Sequence, residues 1–173
     1  MTVALCGFMA SGKSWFGALA ARRCGLPFRD LDDIVAEMGG APDASALIEK
    51  IGIAEFRKLE SRALASALEG GGEGILALGG GSVLDVENRE MLRRNAYVIW
   101  LDTAPHLIER WMGSSPRPLA GDGRRESWGP LWVERRAIYE VLCNERFPIE
   151  DGDEPLIVER LAAAIQRALA GAI

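Results

Sequence analysis

Residues 2–14 read TVALC-GFMASGKS, a short β-like run followed by Gly7-Phe8-Met9-Ala10-Ser11-Gly12-Lys13-Ser14, which fits G-x-x-x-x-G-K-[ST] at every defined position. Each part of that pattern has a physical use. The glycines let the backbone curl so that successive N–H groups point inward at phosphate oxygens. The helix that begins at Lys13 presents its free N–H groups and positive dipole end to the same anion. A lysine at this point reaches the β- and γ-phosphates, and the following hydroxyl ligates Mg²⁺. Only Lys13, Lys50 and Lys58 are lysines, against 17 arginines, so Lys13 is not a product of lysine-rich composition. The stretch predicts a nucleotide site made by Gly7, Ala10, Ser11, Gly12, Lys13, Ser14 and Trp15, with ATP and Mg²⁺ as the ligands it suits.

Outward from this loop the chain alternates short apolar runs with longer helical ones. Residues 13–23 carry a helical stripe that Gly25 can close. LPFRD (26–30) is a brief strand ending in acids, and residues 31–40 a helix stopped by two glycines. Asp43 is a candidate N-cap, and residues 54–68 have apolar side chains at helical spacing. Residues 74–84 form an apolar run broken by Gly79, Gly80 and Gly81. A buried strand is expected over 96–102, helices over 104–112 and 128–147, a last strand over 155–159 and a closing helix. Strands alternating with helices predict an α/β fold, a parallel sheet covered on both faces. One domain is expected over 1–173, with a substrate-binding segment at about 31–60. The Gly/Pro/Arg-rich stretch 113–126 is expected to be a lid.

The 173 residues are 49% hydrophobic and 26% charged, with a formal net charge of −5. That is too apolar for a disordered chain, and too acidic for general nucleic-acid or anionic-membrane binding. No apolar run is long enough to span a bilayer, and no signal peptide is visible. Three scattered cysteines (Cys6, Cys24, Cys143) point to reduced thiols, and so to a cytoplasmic protein. A single histidine, His106, makes a zinc site improbable.

Other residues can serve a bound nucleotide. Asp30 and Asp32 end the second strand, where ligands bind in open α/β sheets, and strand geometry puts both on one side. One carboxylate can hold a Mg²⁺-bound water while the other orients or deprotonates a hydroxyl; the bland alternative is an acidic helix start. The Gly79–Gly81 run allows close backbone approach to a ligand, or is a tight turn. Arg57 and Glu60 are helix neighbours, on this reading alone a surface ion pair. Arg110, Arg117 and Arg135 lie around the 113–126 stretch, where phosphoryl transfer wants cations.

Taken in order, GFMASGKS, D-L-D (30–32), E-F-R-K-L-E (55–60), L-G-G-G (78–81), R-P-L (117–119) and R-x-x-x-Y (135–139) resemble the shikimate kinase family along nearly the whole chain. The resemblance implies a three-layer P-loop fold with a five-stranded parallel sheet in the order 2-3-1-4-5. It also implies transfer of a phosphoryl group from MgATP to the 3-hydroxyl of shikimate on the route to chorismate, by a monomer. Under it Lys13 and Ser14 are the phosphate lysine and metal ligand. Asp30 holds the metal through water. Asp32 contacts substrate hydroxyls as base or orienter. Arg57 and Arg135 grip the carboxylate, Gly79, Gly80 and Gly81 meet the hydroxyls, and Glu60 holds Arg57. Arg117 is the lid arginine, and Arg110 flanks adenine. The chain departs from the family pattern in Ala137 and Ile138, in Ile48, and in the acidic Glu150-Asp151-Gly152-Asp153-Glu154, where an arginine near adenine is common. Two other readings stay open: a related kinase for another hydroxy acid or sugar such as gluconate, and a catalytically degenerate nucleotide-binding protein.

Overall fold

The first strand, β1 (Thr2–Cys6), is buried at every position, and its side chains alternate between two cores. Val3 and Leu5 face one with Phe16, Ile75, Ile99 and Leu161; Ala4 and Cys6 face the other with Leu31, Phe56, Leu76 and Trp100. That two-sided burial is the mark of a parallel strand between helical layers. The computed structural model describes residues 1–70, 72–112 and 125–171. Among them, α1 (Lys13–Cys24), β2 (Phe28–Asp30), α2 (Leu31–Gly39), α3 (Ala44–Glu69), β3 (Gly74–Ala77), α4 (Val86–Asn95), β4 (Ala96–Thr103), α5 (Pro105–Met112), α6 (Arg125–Leu142), β5 (Glu145–Ile149) and α7 (Glu154–Ala170) follow in order. The sheet runs β2-β3-β1-β4-β5 with every pair parallel, the order the resemblance implied.

Local chemistry sets the boundaries. Gly25 and Gly40 close α1 and α2 in the left-handed conformation that favours glycine. Asp43 and Asp85 cap α3 and α4, accepting hydrogen bonds from first-turn amides. Gly52, at φ 79° and ψ 158°, breaks α3 into two pieces, which is why the cap at 43 and the apolar stripe at 54–68 read as separate signals.

The end of the chain corrects the sequence reading. Residues 155–159 are not a strand but the first turns of α7, and the last strand is 145–149, where a helix was expected to continue. Asp153 accepts from the Leu156 amide at 3.3 Å, and Pro155 sits in the first turn, together a strong helix start. Upstream, Asn144 exchanges hydrogen bonds with Val98, its own amide donating to the Val98 carbonyl and its side chain accepting from the Val98 amide, both at 2.8 Å. That pulls the chain out of α6 and lays it beside β4. Pro148 is tolerated because β5 is an edge strand.

No helix among the described residues is long and apolar enough to cross a membrane. The lid expected over 113–126 falls almost wholly on 113–124, and those residues, Arg117 with them, lie outside the described residues.

Candidate active site

The phosphate loop leaves the end of β1, the strand flanked on both sides by others. Its turn uses positive φ at Gly7 (149°), Ala10 (56°) and Gly12 (87°). Gly12 is required for space as well: a Cβ there would run into the Phe16 ring. It precedes α1 without any side-chain cap, and the first turn has no acid, so the helix N-terminus is left to an anionic ligand. The Thr103 hydroxyl donates to the Ser11 carbonyl at 2.9 Å and ties the loop to the end of β4. Lys13 is buried, with Nζ donating to the Gly7 and Phe8 carbonyls at 3.0 and 2.8 Å. Residues 10–16 line a cavity of about 390 Å³, completed by Trp111, Gly152 and Glu154. Arg110 is exposed and packs its guanidinium where a Gly152 Cβ would be.

A second cavity, of about 140 Å³, lies against the other end of the loop, sharing Met9 with it. The Met9 amide nitrogen is 3.4 Å from where a Gly80 Cβ would stand, so the two cavities meet across the loop backbone. Asp32, Arg57, Glu60, Gly80, Gly81 and Arg135 all line it. Arg57 Nη1 pairs with Glu60 Oε2 at 2.6 Å, and Ser82 Oγ donates to Glu60 Oε1 at 2.7 Å. Glu60 is fully buried, so this is not the surface ion pair of the bland reading; a paired and hydrogen-bonded carboxylate fixes the guanidinium. Arg135 is 4% exposed; its Nη1 and the Tyr139 hydroxyl both donate to the Gly80 carbonyl, at 2.9 and 3.0 Å. Arg135 Nε is buried with no hydrogen-bond partner among the described residues. The glycine run is needed for space: a Cβ on Gly79 would press on Glu60 and Asp32, and one on Gly81 would overlap the Arg57 guanidinium.

Asp30 and Asp32 do not share a strand face. The strand ends at Asp30, whose side chain caps α2 by accepting from the Asp32 amide at 3.0 Å, and Asp32 sits in the helix's first turn. The acidic-helix-start alternative holds by position for Asp32 and Asp33, both in the first turn of α2, yet Asp32 also lines the cavity. Burial, then the charges of Asp30 and Glu60, push the Asp32 carboxyl up to about 6 against the pull of Lys13 and Arg57. Burial likewise draws the Arg135 guanidinium below its ordinary value.

Of the described residues singled out from sequence, Ala10, Ser11, Gly12, Lys13, Ser14 and Trp15 line the larger cavity and Asp32, Arg57, Gly80, Gly81 and Arg135 the smaller, while Gly7, Asp30, Gly79 and Arg110 line neither. Sequence reasoning did not find Ser82 as the second anchor of Glu60, nor Glu154 as part of the nucleotide-side cavity. Ser82 follows the glycine run directly, but nothing local tells that its hydroxyl turns to α3.

A family model described as shikimate kinase matches residues 9–168. The chain belongs to the shikimate kinase family. Among curated relatives of this family member is a shikimate kinase of Marinomonas sp., 39% identical over 170 residues, with 96% of this chain and 93% of that one covered. Another, from Symbiobacterium thermophilum, is 36% identical over 160 residues, covering 87% and 91%. Among solved structures, a shikimate kinase from Acinetobacter baumannii in complex with shikimate superposes with a TM-score of 0.85 over 96% of this chain and 93% of that one, at 24% identity.

Proposed function

We propose that this family member is an ATP-dependent kinase that phosphorylates the 3-hydroxyl of shikimate. One observation carries the substrate side: two guanidinium groups, Arg57 and Arg135, line a small pocket with the Asp32 carboxylate, directly against the phosphate loop. An anionic, hydroxylated ring wants paired guanidinium donors for its carboxylate and a carboxylate acceptor for its hydroxyls. A neutral sugar has no use for the two arginines, which disfavours the sugar-kinase reading.

In this mechanism the acceptor oxygen attacks the γ-phosphorus, the bond between that phosphorus and its bridging oxygen to the β-phosphate breaks, and ADP leaves. Asp32 accepts the hydroxyl's hydrogen bond and its proton passes to that carboxylate or to water. A loose transition state needs little base strength, so Asp32 acts chiefly by positioning. Glu60, held by Ser82, keeps Arg57 facing the substrate carboxylate, and Gly79, Gly80 and Gly81 let the backbone approach the ring. Lys13, released from its own loop carbonyls, stabilises charge on the β- and γ-phosphates, as Arg117 does from the 113–126 stretch; Arg110 flanks the base.

No group of three or more potential metal-binding His, Cys, Asp or Glu side chains occurs among the described residues. That suits Mg²⁺, which binds through few protein oxygens plus phosphates and water. The exposed Ser14 hydroxyl would hold it directly and Asp30 through water, and it supplies charge neutralisation on the phosphates.

Coupled measurement of ADP release with shikimate beside quinate, gluconate and nucleoside monophosphates tests the assignment. ADP release with shikimate alone is expected; turnover of gluconate or a nucleotide with none of shikimate would overturn it.

A further inference from the structure

The larger cavity holds a carboxylate that has no part in the transfer chemistry. Trp15 follows Ser14 in the first turn of α1 and is 60% exposed, yet its indole is anchored: Nε1 donates to Glu154 Oε2 at 2.6 Å. Glu154 opens α7, immediately after the N-cap Asp153, so one hydrogen bond joins the N-terminal turns of two helices 139 residues apart in sequence. Both residues line the cavity that the phosphate loop lines.

An ionised carboxylate is an acceptor only, and it repels phosphate, so it can meet a nucleotide only where the nucleotide presents hydrogen-bond donors. The phosphates belong to the loop and the first amides of α1. Trp15 shares that first turn, and its indole reaches to Glu154 at the start of α7, so the carboxylate stands an indole's length from the phosphate-binding amides on the same cavity. A ribose offers two adjacent hydroxyl donors, and a carboxylate on the ribose is how dinucleotide-binding sheets read the same group. Trp15 occupies one face of Oε2 and leaves Oε1 for those donors.

Resting on the reading of ATP as donor, we propose that Glu154, held in place by Trp15, recognises the ribose hydroxyls of the nucleotide. This chain thereby discriminates ribonucleotides from their deoxy analogues.

Calorimetric titration of the full chain with ADP, 2′-dADP, 3′-dADP and IDP tests this without relying on shikimate turnover. The wild type is expected to bind ADP roughly tenfold more tightly than either deoxy analogue, the value of one charge-assisted hydrogen bond. Glu154→Ala should bring that ratio close to one, and Trp15→Phe, which keeps a ring but loses the N–H, should narrow it. The ratio is the readout because removing a negative charge from the cavity raises the affinity of every nucleotide together. Equal affinity of the wild type for ADP and both deoxy forms overturns the proposal, as does discrimination that survives Glu154→Ala. So does a Glu154→Ala effect confined to ADP over IDP, which would place the carboxylate at the base. Failure to bind any nucleotide overturns it together with the donor reading. Sugar discrimination with no turnover of shikimate would sustain it and defeat only the acceptor assignment.

Discussion

Asp32→Asn separates what the site costs from what it does. Burial and two neighbouring carboxylates raise Asp32 from 3.8 to about 6, a difference worth about 3 kcal/mol between its ionised and neutral forms. The folded chain binds the proton more tightly than the unfolded one, so the ionised group destabilises the fold. That penalty is complete above pH 6, shrinks as the pH falls, and is gone below 3.8. Asparagine is nearly isosteric and uncharged, and its own buried amide offsets part of the gain. Asp32→Asn should therefore stabilise the protein by about 2 kcal/mol at pH 8, or roughly 4–8 °C in Tm for a chain of this size, with little difference at pH 4. Urea or thermal unfolding of both proteins at the two pH values measures it, and subtraction cancels the other titrating groups. Shikimate turnover of the variant should fall by at least about tenfold, and wild-type activity should decline on the acid side through about pH 6. A variant no more stable than wild type at pH 8, or one whose advantage grows toward acid, would refute the reasoning.

Other perturbations probe the remaining groups. Lys13→Ala should lower turnover at least about 100-fold in an ADP-release assay, the usual scale for a group that stabilises transferring charge. Arg57→Ala should raise the KM for shikimate about tenfold or more and leave that for ATP within about twofold; steady-state kinetics with each substrate varied shows the split. Gly81→Ala should act on the same side, because the new methyl displaces the Arg57 guanidinium, weakening shikimate binding in calorimetry while ADP binding holds. Asp102, 8% exposed and paired with Arg136 and Arg146 at 3.0 and 2.6 Å, should cost about 1–3 kcal/mol when changed to Asn, read by chemical denaturation.

The donor half of the site was legible because its chemistry is local. Loop, lysine, hydroxyl and helix start occupy consecutive residues, and the strand before them is apolar on both faces. Strand order and the pairing of Arg57 with Arg135, from helices far apart in the chain, became readable only through resemblance, since neither residue carries a local sign of the other. Two misreadings share one cause, the strength of helix caps. Asp30-Leu31-Asp32 reads as strand alternation, but a cap at Asp30 turns the chain into α2 and separates the two carboxylates. The apolar PLIVE reads as a strand, but the Asp153 cap and Pro155 start α7 there. In sequence Glu154 is only part of an acidic stretch where the family often has an arginine near adenine; that it lines the cavity and accepts from Trp15 is visible only in the fold.

Between Asp30, the last residue of β2, and Gly74, the first of β3, the chain makes one excursion through α2 and α3 and returns to the neighbouring strand. Asp32, Ile48, Phe56, Arg57 and Glu60 all ride on it, while the nucleotide's loop hangs from β1. Most of the acceptor wall can thus be exchanged as a single insert, with Arg135 and the glycine run staying behind as the fixed remainder. The apparatus that activates the donor would be inherited untouched.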